Sequence, residues 1–521
     1  MFASSNHQKR KVMKYLFFAG LLLFSFLSYA QETTYRNPVI SGDFPDPTVI
    51  RVGDTYYAAG TSSEWAPPYR LYESKDMVNW TYLGALFKEM PSWTMGSYWA
   101  PELFYRNGRY YAYYTARRSS DRKSFIGVAS THDFRKGFTD HGIIVEWTNE
   151  AIDAFVNDFD GRLYITWKAY GLDRGKDIEI LGSELTDDGL KMKGEVFSLL
   201  KTNTEDWESG GMEGQCLIKH GDYIYMFYAG NSCCGAGCNY QTGVARASSI
   251  YGPWEKYAGN PILHGDGQWR CSGHGTVVTT PDDRYFYLYH AYNSATNIYT
   301  GRQGMIDEIV WDAETGWPSF RYGKTPSVQA STPYAGTVQQ PVADFIDKFD
   351  SDVLGVEWIW DVSQNKPSHH IKNGKLHIVG NGSLSGISFG LRPRKDTYTL
   401  QATVEKGNTP SGICVYGTKD QTVGLSYTGN MLELWQIDRG IRSSLAMVEL
   451  PESTEIILFL ETHFGQYCQF GFIGKDGKKQ QTGTLIHINR LPQWDRPPMI
   501  GIHAGGDGNS TFSSVSVLYT K

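Results

Sequence analysis

Three carboxylic acids in this 521-residue chain occupy segments that give them little reason to be there unless they carry chemistry. Asp46 stands between two prolines in Gly42-Asp-Phe-Pro-Asp-Pro-Thr48, where ring-locked backbone holds its side chain in one orientation. Asp153 interrupts the apolar run Ala151-Ile-Asp-Ala-Phe-Val156, and Glu213 lies in Gly210-Gly-Met-Glu-Gly-Gln215. A carboxylate in an apolar strand must be paired, hydrogen-bonded or protonated, because burying a lone charge is costly. Read singly, Asp46 is a turn residue and the other two are halves of structural ion pairs. Read together, they can donate and accept protons, provided one scaffold brings them to one place.

That scaffold is written as a repeat. A turn built on Gly, Asn or Asp and followed by an aromatic-rich strand occurs five times: Gly53-Asp-Thr-Tyr-Tyr57, Asn107-Gly-Arg-Tyr-Tyr111, Asp160-Gly-Arg-Leu-Tyr164, Gly221-Asp-Tyr-Ile-Tyr225 and Asp283-Arg-Tyr-Phe-Tyr287. The last tyrosines are 54, 53, 61 and 62 residues apart, a period near that of propeller blades. Further strand-like runs in the units, such as 70–74 and 243–247, complete four-stranded antiparallel blades. The units predict a five-bladed β-propeller over residues 31–324. Its loops and innermost strands surround one channel. Asp46, Asp153 and Glu213 precede the hairpins of blades one, three and four by comparable distances, so they are expected at the same end of the axis. Residues 325–341, rich in Pro, Ser, Thr, Gly and Gln, predict an extended connector. Residues 342–521 carry short alternating runs between regular turns and predict a β-sandwich, making the mature chain all-β.

The formal net charge of −6, without long like-charged runs, excludes the electrostatic footprint of a nucleic-acid binder. Aromatic residues at 14% are chiefly blade packing, with a few left to stack on sugar rings. Residues 1–30 combine a basic start, an apolar core over 15–27 and Ser28-Tyr-Ala30 before Gln31, the layout of a cleaved signal peptide. No cysteine stands at the cleavage point and the apolar run is short, so the expectation is a periplasmic or secreted protein without lipid anchor or membrane span. Export permits disulfides. Cys233, Cys234 and Cys238 read as a disulfide-stapled loop rather than a zinc site, with the partners open.

The stretches 37–47 and 74–80, Tyr98-Trp-Ala-Pro-Glu102, Asp153 before its hairpin and Glu213-Gly214 together resemble glycoside hydrolase family 43, across about residues 35–321. The resemblance implies hydrolysis of α-L-arabinofuranosidic and β-D-xylosidic bonds with inversion at the anomeric carbon. It implies that Asp46 is the general base, Glu213 the general acid, and Asp153 the residue that tunes the acid and orients the sugar. An inverting pair requires an ionised base and a protonated acid about 6.5–9.5 Å apart, and the charge of Asp153 is expected to keep the proton on Glu213. By the same resemblance Arg302 binds sugar, and His274 lies near the axis beside a cation, often calcium, reached directly or through water; no other cofactor is required. Trp65 and Trp99 are expected to form a stacking wall. The segment from Phe349-Asp350 through Asn373-Gly-Lys-Leu376 resembles the concanavalin-like jelly roll appended to many members, which in some closes the pocket and makes the enzyme exo-acting; accessory carbohydrate binding is the alternative. The expected substrates are arabinose- or xylose-containing plant oligosaccharides or polysaccharides, with α-L-arabinofuranosidase ahead of β-xylosidase. A non-catalytic glycan-binding propeller and a family hydrolase acting on another sugar, such as galactose, are the alternatives.

Overall fold

The computed structural model describes residues 33–296, 299–364 and 366–520, so the signal peptide expected over 1–30 lies outside the described residues. Five four-stranded antiparallel sheets follow one another in chain order and form the blades. Their first strands are Thr48–Val52, Thr94–Arg106, Ala151–Phe159, Met212–His220 and Trp269–Thr279. Each pairs with the strand that follows the repeated hairpin, as Ala151–Phe159 does with Arg162–Ala169. The turns have the chemistry such hairpins require: Asn107 and Gly108, like Asp160 and Gly161, both adopt positive φ (52° and 75°, 54° and 82°), which matches the twist of the flanking strands. Tyrosines of the repeat then fill the space between blades; Tyr225 packs edge-on against both Trp311 and Trp317.

Residues 325–341, expected to be an extended connector, are tied down along the propeller. Gln329–Ser331 pairs with Thr34–Arg36, and the Tyr334 hydroxyl meets that of Tyr56 at 2.6 Å. The following residues form a sandwich of a six-stranded and a nine-stranded sheet. The long strand Asn509–Tyr519 lies inside the larger sheet, between Leu376–Val379 and Tyr398–Glu405.

The two halves share a core. One continuous apolar cluster runs from Tyr69, Phe87 and Tyr98 of the propeller through Tyr299 to Trp358, Phe389 and Leu400 of the sandwich. A short ladder crosses the junction, pairing Trp65–Ala66 with Trp360–Asp361. Trp65 is therefore not part of a sugar-stacking wall: it is 1% exposed, edge-on to Tyr416 and capped by the Arg496 guanidinium 5.0 Å from its ring centre. A tryptophan that can bury both faces between domains gives up more water-exposed apolar area than one at a cleft, which fixes it there. Among the described residues, no helix is long and apolar enough to cross a membrane.

Candidate active site

One backbone device recurs in every blade. Asp46, Ala100, Asp153 and Gly214 stand eleven residues before Tyr57, Tyr111, Tyr164 and Tyr225, and His274 stands thirteen before Tyr287. All five have left-handed backbone, with φ of 50°, 37°, 58°, 63° and 42°. In blades two to five the ladder slips there, between Trp99 and Glu102, Ile152 and Phe155, Glu213 and Cys216, and Gly273 and Thr276. Such bulges re-aim side chains, and left-handed non-glycine residues persist only where surrounding structure enforces them. The result is convergence: Asp46, Asp153, Glu213, His274 and Arg302 line one cavity of about 340 Å³.

Asp46 is held as a carboxylate. Arg302 Nη1 donates to its Oδ1 at 2.9 Å, Thr61 Oγ1 donates to its Oδ2 at 2.7 Å, and His274 Nδ1 lies 3.4 Å away. Burial alone would raise its pKa, but the Arg302 charge above all, with His274 and the Thr61 hydrogen bond, outweighs it and brings the group down to about 2. The Asp46 amide donates to His290 Nδ1 at 3.0 Å, so that nitrogen is an acceptor and the ring is neutral. Burial followed by the charge of Arg302 keeps His290 in that form.

The other two acids divide their labour differently from the sequence expectation. Burial and the neighbouring charge of Glu213 raise Asp153 well above the usual carboxylate range. Glu213 is also pushed up by burial, but Lys168 Nζ at 2.7 Å from Oε2 and the Tyr240 hydroxyl at 2.5 Å from Oε1 more than offset this and lower it. The charge of Glu213 bears directly on Asp153, so the protonation of the two acids is linked. These surroundings favour the proton on Asp153, the reverse of the arrangement expected from a charged Asp153 beside a protonated Glu213. Lys168 causes the reversal. It also lies 3.7 Å from Glu150, and these acids keep it protonated despite burial.

Arg302, expected to bind sugar, is buried beside Asp46 and also reaches the sandwich, donating through Nη2 to the Asp495 carbonyl at 3.3 Å. Trp99 lines the cavity, donates its indole N–H to Asp495 Oδ2 at 3.2 Å and stands edge-on to Trp494, with ring centres 6.0 Å apart. Trp494 and Asp495 line the same cavity, so the second domain builds part of its wall. His274 Nδ1 is taken up by Asp46 and by Asp153 Oδ2 at 3.8 Å. Among the described residues no group of three or more His, Cys, Asp or Glu side chains is placed to hold a metal ion. The cysteine loop closes with two bridges, Cys233–Cys234 and Cys238–Cys271, while Cys216, Cys414 and Cys468 are free and buried.

Sequence reasoning missed Lys168, Tyr240, Trp494 and Asp495. Lys168 had the same signal as Asp153, a charge in the apolar run Ile165-Thr-Trp-Lys-Ala169. Tyr240 is one of 34 tyrosines and carried no distinguishing signal.

Residues 35–318 match the pattern of glycosyl hydrolases family 43. A xylan 1,3-β-xylosidase from a Vibrio species is 26% identical over 77% of this chain and 80% of its own length. A non-reducing end α-L-arabinofuranosidase from Bacteroides ovatus is 26% identical over 83% of each chain. The structure of a xylan β-1,4-xylosidase from Bacillus halodurans superposes with a TM-score of 0.82 at 20% identity, covering 93% of this chain and all of that one, and shares its two-domain fold. A match over more than half the chain, on a propeller whose axis gathers three acids in one cavity, leads to one conclusion: the chain belongs to glycosyl hydrolase family 43 and is a glycosidase.

Proposed function

We propose that the protein is an exported, exo-acting, inverting glycosidase that removes terminal arabinofuranosyl or xylosyl units from plant oligosaccharides or polysaccharides, arabinofuranosyl being favoured. The observation that carries the mechanism is the convergence of Asp46, Asp153 and Glu213 on one cavity, with Arg302 and Thr61 holding Asp46 as a carboxylate. Asp46 takes a proton from the attacking water while Arg302 holds the carboxylate in position. Glu213 delivers a proton to the departing oxygen. Seating that oxygen beside Glu213 and excluding water draws the proton from Asp153 to Glu213 as the Lys168 contact loosens, so Asp153 acts as store and orienting group.

A cavity of about 340 Å³ is at the small end of ligand pockets, about 300–1,000 Å³, and supports binding one terminal sugar. Relatives named both xylosidase and arabinofuranosidase support a pentose. The layout of residues 1–30 and the two disulfides support export.

The test is hydrolysis of paired aryl α-L-arabinofuranosides and β-D-xylosides by the wild type, Asp46→Ala and Glu213→Ala. Asp46→Ala should lose turnover on every substrate. Glu213→Ala should lose about 10²–10⁴-fold on natural glycosides, the weight of general-acid assistance, and far less on aryl glycosides with good leaving groups. Equal losses on both kinds would remove Glu213 from the acid role, and retention of anomeric configuration would remove Asp46 from the base role.

A further inference from the structure

The geometry points to the Cys233–Cys234 bridge as an apolar platform for the face of the bound sugar, and hence as a specificity determinant that a dithiol can dismantle. The inference rests on the pentosidase reading above. Both cysteines line the same cavity as Asp46, Glu213 and Arg302. They are half-buried rather than enclosed. Bridging neighbours whose Cα atoms are 3.7 Å apart removes the rotamers of both side chains and turns two polarisable sulfurs into one rigid surface.

Stabilising the fold does not account for this bridge. Loop-closure entropy grows with the number of residues enclosed, and a link between neighbours encloses none. The fold is stapled by Cys238–Cys271, which spans 33 residues and joins two blades. The loop is also anchored from other sides: the Gly235 amide donates to the Tyr292 hydroxyl at 3.2 Å, the Asn239 amide to the Ser232 carbonyl at 3.1 Å, and Arg270 to the carbonyls of Ala236 and Cys238. A Cβ on Gly235 would stand 3.1 Å from the Trp494 carbonyl, so the loop also abuts the sandwich. With the loop held in these ways, what the vicinal bridge adds is the character of the cavity wall.

That wall needs it. The acids and Arg302 offer polar partners to hydroxyls, but a sugar also presents a C–H face that gains by leaving water. Trp65, expected to receive that face, is enclosed between the domains, and Trp99 is held edge-on to Trp494. Reduction by dithiothreitol transfers two electrons and two protons to the bridge, giving two thiols and the cyclic oxidised reagent; the joined surface is then replaced by two separately rotating side chains.

The experiment compares wild type, Cys233→Ala/Cys234→Ala and Cys238→Ser/Cys271→Ser, using KM, kcat and Tm on both aryl pentosides and competitive inhibition by free L-arabinose and D-xylose. The bridge is verified by the 2 Da mass difference that two hydrogens make on reduction of the 233–234 peptide. The platform predicts that the 233/234 variant raises KM and the pentose inhibition constant about tenfold, the weight of one lost apolar contact in a pocket, with a smaller change in kcat and an unchanged Tm. The 238/271 variant should lower Tm. Unchanged KM and inhibition constants, a Tm loss matching that of the 238/271 variant, or free thiols at 233 and 234 in the purified protein would overturn the proposal. If wild type hydrolyses neither pentoside, the pentosidase reading fails instead; calorimetric binding of the two pentoses then decides the platform, supported if the 233/234 variant binds more weakly and overturned if it binds equally or if wild type binds neither.

Discussion

Gly214 offers the sharpest test of how the site is assembled. Its φ is +63°, and a Cβ placed on it would stand 2.5 Å from His274 Cγ and 2.8 Å from Nδ1 and Cδ2. Carbon atoms rest at about 3.5–4.0 Å, so Gly214→Ala must drive the imidazole and the Glu213 segment apart by about 1 Å. A displacement of that size at a reacting centre costs about 10²-fold in rate. The substitution also places a side chain in left-handed backbone, a penalty of about 1 kcal/mol after the unfolded-state gain of replacing glycine. Gly221 isolates the second effect: its φ is +57°, it lies in the hairpin of the same blade, and a Cβ there meets nothing within 4 Å. Both alanine variants should therefore lose similar, small amounts of thermal stability, while only Gly214→Ala loses about 10²-fold in kcat/KM on an aryl pentoside. If folded Gly214→Ala retains more than about a third of wild-type kcat/KM, far above the loss expected for such a displacement, the His274 contact does not position the acid. If Gly221→Ala falls equally, backbone strain and not the clash is responsible.

Three other outcomes follow from the same geometry. Lys168→Met removes the cation that favours ionised Glu213, so the alkaline limb of the kcat/KM profile should move to higher pH; an unmoved limb would detach Lys168 from the titration of the pair. Asp46 is lowered from 3.8 to about 2, which at 1.36 kcal/mol per unit contributes about 2 kcal/mol of stability. Because the folded value is the depressed one, this contribution is complete above about pH 4 and fades as pH falls towards 2, and acid unfolding of Arg302→Met should begin at higher pH than in wild type. Trp494→Ala opens the cavity wall contributed by the sandwich, so KM for aryl pentosides should rise severalfold, the weight of one apolar contact, with Tm nearly unchanged because this side chain is 59% exposed.

The features legible from sequence are those with local causes. The hairpins declare themselves through turn residues and tyrosines, and counting back from them reaches Asp46 and Asp153 directly. Glu213 precedes the corresponding residue of its blade, Gly214, by one, so a comparable distance was a sufficient guide. What stayed hidden depends on neighbours remote in sequence. Trp65 and Trp99 look alike as isolated aromatics, and only the ladder between Trp65–Ala66 and Trp360–Asp361 separates an interdomain core residue from one lining the cavity. The pairing of Cys238 with Cys271 requires knowing that the fourth-blade loop lies against the first strand of the fifth. The location of the proton turns on Lys168, which comes from the second strand of blade three and reaches across to the first strand of blade four.

The shared core between propeller and sandwich has a consequence for when the pocket is complete. Trp494 and Asp495 complete the cavity wall, and the sandwich that presents them is closed through Asn509–Tyr519, which supplies pairing partners to strands on both sides. A nascent chain can close all five blades by about residue 331, where Gln329–Ser331 meets Thr34–Arg36, and still have an unfinished pocket. Completing the pocket requires nearly two hundred further residues to be made and docked, although Asp46, Asp153, Glu213, His274 and Arg302 all come from the blades. The catalytic cavity is thus a property of the two domains together, and neither presents its full wall alone.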